Sequence, residues 1–226
     1  FAVLFIVASL FLGKRVSALD NKVGFNLNDA LPICSAVMPF ALLIMAVLQL
    51  QISSPAPVFG LALLLTGFLL AMTKLTRVHG LGLAALACVL ALEYAWHGAS
   101  FKAEQATEPL LWSLGFYAVF AMFPFVFRKH FEQATLPWIT AAVAGIGTFG
   151  LVYRMTKLAW PDAPPGLIAA AFAIPALLSL IMIVKQHREN TPARLSQLAW
   201  FGGVALFFST LIFPLPVDRQ WLTIAR

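Results

Sequence analysis

Glu93 and His97 are the residues of this chain whose types and spacing best suit chemistry. Glu93 is the one acidic side chain well inside an apolar run, and His97 follows it by four positions. Residues four apart on an α-helix are neighbours on one face, so carboxylate and imidazole can meet. An ionisable carboxyl inside a membrane span is a functional candidate by default. In a partly dry site such a pair could pass a proton or hold a polar headgroup. The plainer alternative is that Glu93 reaches back to water and caps or pairs locally. It is the favoured one, because Glu93 falls about three residues before the expected end of its span, roughly 4–5 Å below the interface by helical rise.

The other chemistry-bearing residues point to less. No third His, Cys or carboxylate stands out in the spans beside Glu93 and His97, so neither a metal nor another cofactor is expected. His79, His97, His130 and His187 all fall near span ends, which argues against a proton or sodium relay of several mid-bilayer groups. Cys34 and Cys88 stand alone in apolar runs and read as small packing residues. Gly145, Gly147 and Gly150 form a G-x-G-x-x-G pattern, but a dinucleotide site needs a strand before it and a helix after it. Here the pattern sits in an apolar helix, where Ala141, Gly145 and Thr148 make a small-residue stripe suited to close helix packing. Pro39, Pro124 and Pro175 fall inside spans, where proline removes a backbone donor; a structural role is favoured over a substrate path. Trp96, Trp112, Trp138, Trp160 and Trp221 lie near span ends, as interfacial anchors would.

The elements that must position these residues follow from composition. Of 226 residues, 61% are hydrophobic and 11% charged, with a mean hydropathy of +0.89. Soluble domains average roughly 45–50% apolar and about 25% charged. A soluble enzyme, a disulfide scaffold, a disordered tail and a nucleic-acid-binding domain are thereby excluded. The net charge of +6 comes from basic residues placed singly or in pairs between apolar runs, never as a stripe. Eight spans of ~20 residues would use about 160 positions.

The expected fold is all-α: a polytopic transmembrane bundle of about eight helices in one multi-pass region, residues 1–226. The first, Phe1 to Leu12, is too short to span and reads as the end of a truncated helix, which suggests a piece of a longer protein. The others are expected over about 30–50, 58–72, 81–96, 109–127, 136–153 and 167–184, with the last from Thr191-Pro192 to about Phe213. Asn28 or Asp29, Thr107 and Thr135 read as caps, the threonines each followed two residues later by proline. Connections after the first, third, fifth and seventh spans hold ten Lys/Arg, against five in the other connections and the C-terminal tail. That bias puts the first set in the cytoplasm.

The most specific stretch is Phe213-Pro214-Leu215-Pro216-Val217-Asp218-Arg219-Gln220-Trp221-Leu222-Thr223. It resembles a segment of the bacterial predicted multi-pass membrane proteins of domain of unknown function 2339. In that family a helix ends in a proline-containing turn followed by Asp, a basic or polar residue, Trp and Thr. Phe213, Pro214, Asp218, Trp221, Leu222 and Thr223 fit it, and the helix that follows in the family is absent after Arg226. The specific match covers about a dozen residues, and upstream the likeness is one of general character. The resemblance implies a long, many-helix protein of a bacterial cytoplasmic membrane and supplies no activity or catalytic residues.

Three functional readings remain. The leading one is a non-enzymatic membrane component, acting in envelope organisation or in passage of a small or lipidic molecule. The second is a membrane-embedded transferase or hydrolase on a lipid-linked substrate, with Glu93 as acid/base and His97 as its partner. The third is a scaffold whose helices bind other membrane proteins or a second copy. The lipid bilayer is the expected surrounding in each, and nucleic acid is not an expected partner.

Overall fold

The computed structural model describes residues 27–50, 54–76, 78–132, 134–186 and 192–212. Among these residues every regular element is helical. The helices are α1 (Leu27–Leu50), α2 (Ala56–Thr76), α3 (Gly80–Ser100), α4 (Thr107–Val126), α5 (Arg128–Phe131), α6 (Leu136–Ala159), α7 (Pro165–Gln186) and α8 (Pro192–Leu211). A 3-10 turn over Ala103–Gln105 precedes α4. The expected first span, and the stretch after residue 212 that carries the family resemblance, lie outside the described residues.

Backbone groups cannot find water in a bilayer, so a spanning segment must satisfy them within itself, as these helices do. Three threonines follow the same rule. The hydroxyls of Thr66, Thr73 and Thr140 donate to the carbonyls of Ala62, Leu69 and Leu136, one turn back, at 2.8, 2.9 and 2.9 Å. Helices α2 and α6 thus absorb these three donors.

The chain divides into two compact units, residues 1–101 and 102–226. In the first, α3 packs against both α1 and α2. The start of α3 lies beside the start of α1: a Cβ added at Gly80 would come 3.0 Å from Ile33 Cδ1. The side of Trp96 near the end of α3 meets Phe59 near the start of α2, edge to face, with ring centroids 5.5 Å apart. The unit therefore runs up, down and up, with α3 between its partners.

In the second unit α6 is the hub, packed against α4, α7 and α8, while α7 and α8 form a close pair. The small-residue stripe does what its spacing implied. Ala141, Ala144, Gly145 and Thr148 are all buried. The Gly145 α-carbon faces Tyr117 of α4 and Phe208 of α8, whose ring atoms would stand 3.4 and 3.6 Å from an added Cβ. Phe149, Phe172 and Phe208 pack on one another with centroids 5.3–5.7 Å apart.

Several expected boundaries and placements are corrected. Helix α3 continues past Trp96 to Ser100, because 97–100 contain no proline, and stops where Phe101 turns extended. Helix α6 continues past Tyr153 to Ala159; the exposed Arg154 and Lys157 ride on its last turns until Pro161 blocks further helix. Thr107 is the first residue of α4 rather than its cap, and Thr135 sits at the α6 cap position without a capping hydrogen bond. Leu27 begins α1, so Asn28 and Asp29 lie in its first turn. Cys34 is exposed on α1 rather than packed inside.

Two of the five tryptophans expected as anchors belong to the interior. Trp96 and Trp138 are buried, and Trp138 Nε1 donates to the Phe131 carbonyl at 2.9 Å. Phe125 and Phe201 enclose that indole, with centroids 5.0 and 6.4 Å away. Trp160 is exposed, and Trp112 is half-buried against Phe116.

Candidate functional site

Helix α3 buries one continuous face: Gly82, Leu86, Val89, Glu93 and His97 along one row, Leu81, Ala85, Leu92 and Trp96 along the next. The helical repeat places every third or fourth residue on that face. Glu93 and His97 are consequently turned inward, only 2% and 6% exposed. They are the titratable side chains in the buried set of the described residues.

The longer α3 changes the depth of the pair. Seven residues separate Glu93 from Ser100, which is about 10 Å of helical rise. In a helix of 21 residues this leaves Glu93 only three positions past the middle. The near helix end is thus about two turns away, while the apolar run still ends near Trp96, the limit from which snorkelling is expected. His97 lies inside the helix, one turn nearer the end, where its ring tilts against Phe101 with centroids 4.2 Å apart.

A carboxylate and an imidazole one helical turn apart on a buried face have the chemistry to exchange a proton, or to accept and donate hydrogen bonds to one polar group. Burial in an apolar unit strengthens either interaction, since the local dielectric is low. Among the described residues no group of three or more His, Cys, Asp or Glu is placed to hold a metal ion. His79 lies in the turn before α3, thirteen and more residues from the pair along the helix, and His130 is exposed on α5; His187 is outside the described residues. The G-x-G-x-x-G glycines all lie within α6, with no strand before them among the described residues. Phe101, the ring against His97, carried no sequence signal: only the helix end reveals it.

Six of the helices are long and apolar enough to cross a membrane: Ile33–Leu50 of α1, Ala56–Thr76, Gly80–Ser100, Thr107–Val126, Leu136–Ala159, and Gly166–Lys185 of α7. Helix α8 is not one of them; it carries Arg194, Ser196 and Gln197 in its first turns and Gly202-Gly203 midway. Exposure runs opposite to that of a soluble fold. The two most apolar spans, in α7 and α1, are the least covered, with 28% of each buried. The two least apolar, α3 and α6, are the most covered, at 50% and 56%. Leu42, Leu64, Leu111 and Leu167 stand out from the surface while Glu93, His97 and the threonines turn in. In water such apolar surface drives association, whereas hydrocarbon accommodates it. The fold and its surface define a multi-pass membrane protein. No family model, no curated protein and no solved structure matches the chain.

Proposed function

We propose that this chain is a non-enzymatic component of a bacterial cytoplasmic membrane, acting in envelope organisation through the passage of a small or lipidic molecule. The Glu93–His97 pair is the polar point that molecule meets. The burial of both side chains on one face of α3, with Glu93 close to mid-span, carries this reading. A charged or polar group kept inside a span is costly, and its usual use is on a substrate or ion path. The resemblance of residues 213–223 to the domain of unknown function 2339 proteins supports the bacterial membrane. The excess of Lys and Arg after alternate spans supports a cytoplasmic placement for those connections.

The test is complementation. A strain deleted for the gene receives wild-type protein or Glu93→Gln at matched membrane levels, and lipid and envelope composition is measured by mass spectrometry. The proposal expects wild type to restore the profile and Glu93→Gln to leave one molecule displaced between the two leaflets or compartments. Equal restoration by both removes Glu93 from the function. Accumulation of an unprocessed lipid-linked molecule would show a transferase or hydrolase instead.

A further inference from the structure

The second unit carries its charges unevenly. Helix α5 leads with Arg128, Lys129 and His130 and is fixed by its fourth residue: buried Phe131, whose carbonyl takes the Trp138 indole N–H from the first turn of α6. The first turns of α8 come to the same end. Gln197 Nε2 donates to the Glu132 carbonyl at 3.4 Å, just after α5. One turn before it on α8, Arg194 Nη2 donates to the Val184 carbonyl at 3.3 Å, near the end of α7, beside Lys185. Three separate stretches of chain are thereby gathered at one end of the unit. Among the described residues they present Arg128, Lys129, Lys185 and Arg194 together with the acid Glu132. Lys129, His130 and Lys185 are exposed.

Among the described residues the opposite end is balanced. There the start of α4, the 3-10 turn packed on α6, and the end of α6 bring Lys102, Arg154 and Lys157 together with Glu104, Glu108 and Asp162. Among the described residues the surplus of positive charge thus lies at this first end, directly where the apolar spans α4 and α7 finish. A span end is the level of lipid headgroups, so these cations stand at the height of membrane phosphates. Lysine serves a phosphate as a point charge and arginine as a fork of donors.

We propose that this end of the second unit, α5 with the facing ends of α7 and α8, is a docking surface for anionic phospholipid headgroups. It selects phosphatidylglycerol-type lipid over zwitterionic lipid and holds it where α4 and α7 leave the bilayer. Juxtamembrane Lys and Arg are each worth about a fivefold gain in affinity for an anionic surface. The attraction also weakens with salt, because the exposed members are screened.

The test uses the full chain in neutral detergent, with native mass spectrometry counting bound lipid during titration with phosphatidylglycerol or phosphatidylcholine. Phosphatidylglycerol should bind more tightly. Lys129→Gln and Lys185→Gln should each weaken it about fivefold, while Lys129→Arg and Lys185→Arg keep it, and Lys157→Gln at the other end leaves it unchanged. Equal binding of the two lipids, or an equal loss from Lys157→Gln, overturns the proposal. Displacement of the lipid by millimolar inorganic phosphate at matched ionic strength overturns it as well, since the surface would then be a phosphate site. Circular dichroism on each variant confirms that the fold compared is the same.

Discussion

Replacing Gly145 with leucine should loosen the second unit, and replacing it with alanine should not. An added Cβ meets Tyr117 Cε2 at 3.4 Å, Phe208 Cε2 at 3.6 Å and the Tyr117 hydroxyl at 3.6 Å. These are contact distances, so alanine fits with a shift of at most a few tenths of an ångström. It also gains helix propensity, by up to about 1 kcal/mol in a helix interior. Leucine adds three further carbons toward two rings that are themselves held, Tyr117 against Phe172 at 5.1 Å and Phe208 against Phe149 at 5.3 Å. Overpacking of this kind costs typically ~1–3 kcal/mol. Thermal unfolding in detergent, followed by helical circular dichroism and by tryptophan fluorescence, gives the readout. Gly145→Ala should melt at or above the wild-type temperature, and Gly145→Leu several degrees below it. If leucine is tolerated as well as alanine, α4 and α8 do not close on α6 at this position, and the packing derived for the unit is wrong.

Other consequences can be checked with the same preparation or in cells. Trp138→Phe keeps the ring among Phe125 and Phe201 but strips the Phe131 carbonyl of its indole donor, so unfolding should cost about 1–2 kcal/mol less; an unchanged melting curve would show that the hydrogen bond contributes nothing. In a background with Cys34 and Cys88 replaced by alanine, single cysteines at Lys129 and Asp162, both exposed at opposite ends of α6, should label from opposite sides of intact cells. A membrane-impermeant maleimide should reach Asp162→Cys and spare Lys129→Cys; the reverse pattern inverts the orientation read from the Lys/Arg bias.

The helices were legible because each is an apolar run about as long as a bilayer is thick, broken by Pro, Gly or paired charges. Their ends were less so. Tyr94 to Ser100 lose hydropathy without containing a proline or paired charges, and the helix runs on through Gly98, so α3 outlasts its apolar run. Hydropathy reports where a chain prefers to lie, while helix termination depends on dihedrals and on what the last carbonyls meet. This difference puts Glu93 nearer the middle of its helix than of its apolar run. That Glu93 and His97 share a face was legible, because i and i+4 are neighbours in any helix. Its burial was not, since nothing in the spacing says that the face meets α1 and α2 rather than lipid. The same gap separates Trp138 from Trp160. Both stand near helix ends, but one finds a carbonyl and two aromatic neighbours and the other does not. Gln197 gave no signal at all, its use being a single bond to a backbone carbonyl 65 positions away.

The central claim is that Glu93 and His97 act as one polar site inside the first unit. The most direct measurement compares Glu93→Gln, His97→Gln and the double variant in the deletion strain, at equal membrane abundance and equal melting temperature. A single functional unit predicts that either substitution alone displaces the envelope molecule as much as both together, because removing one member disables the other. Full restoration by the double variant would contradict it and leave the pair a packing feature of α3.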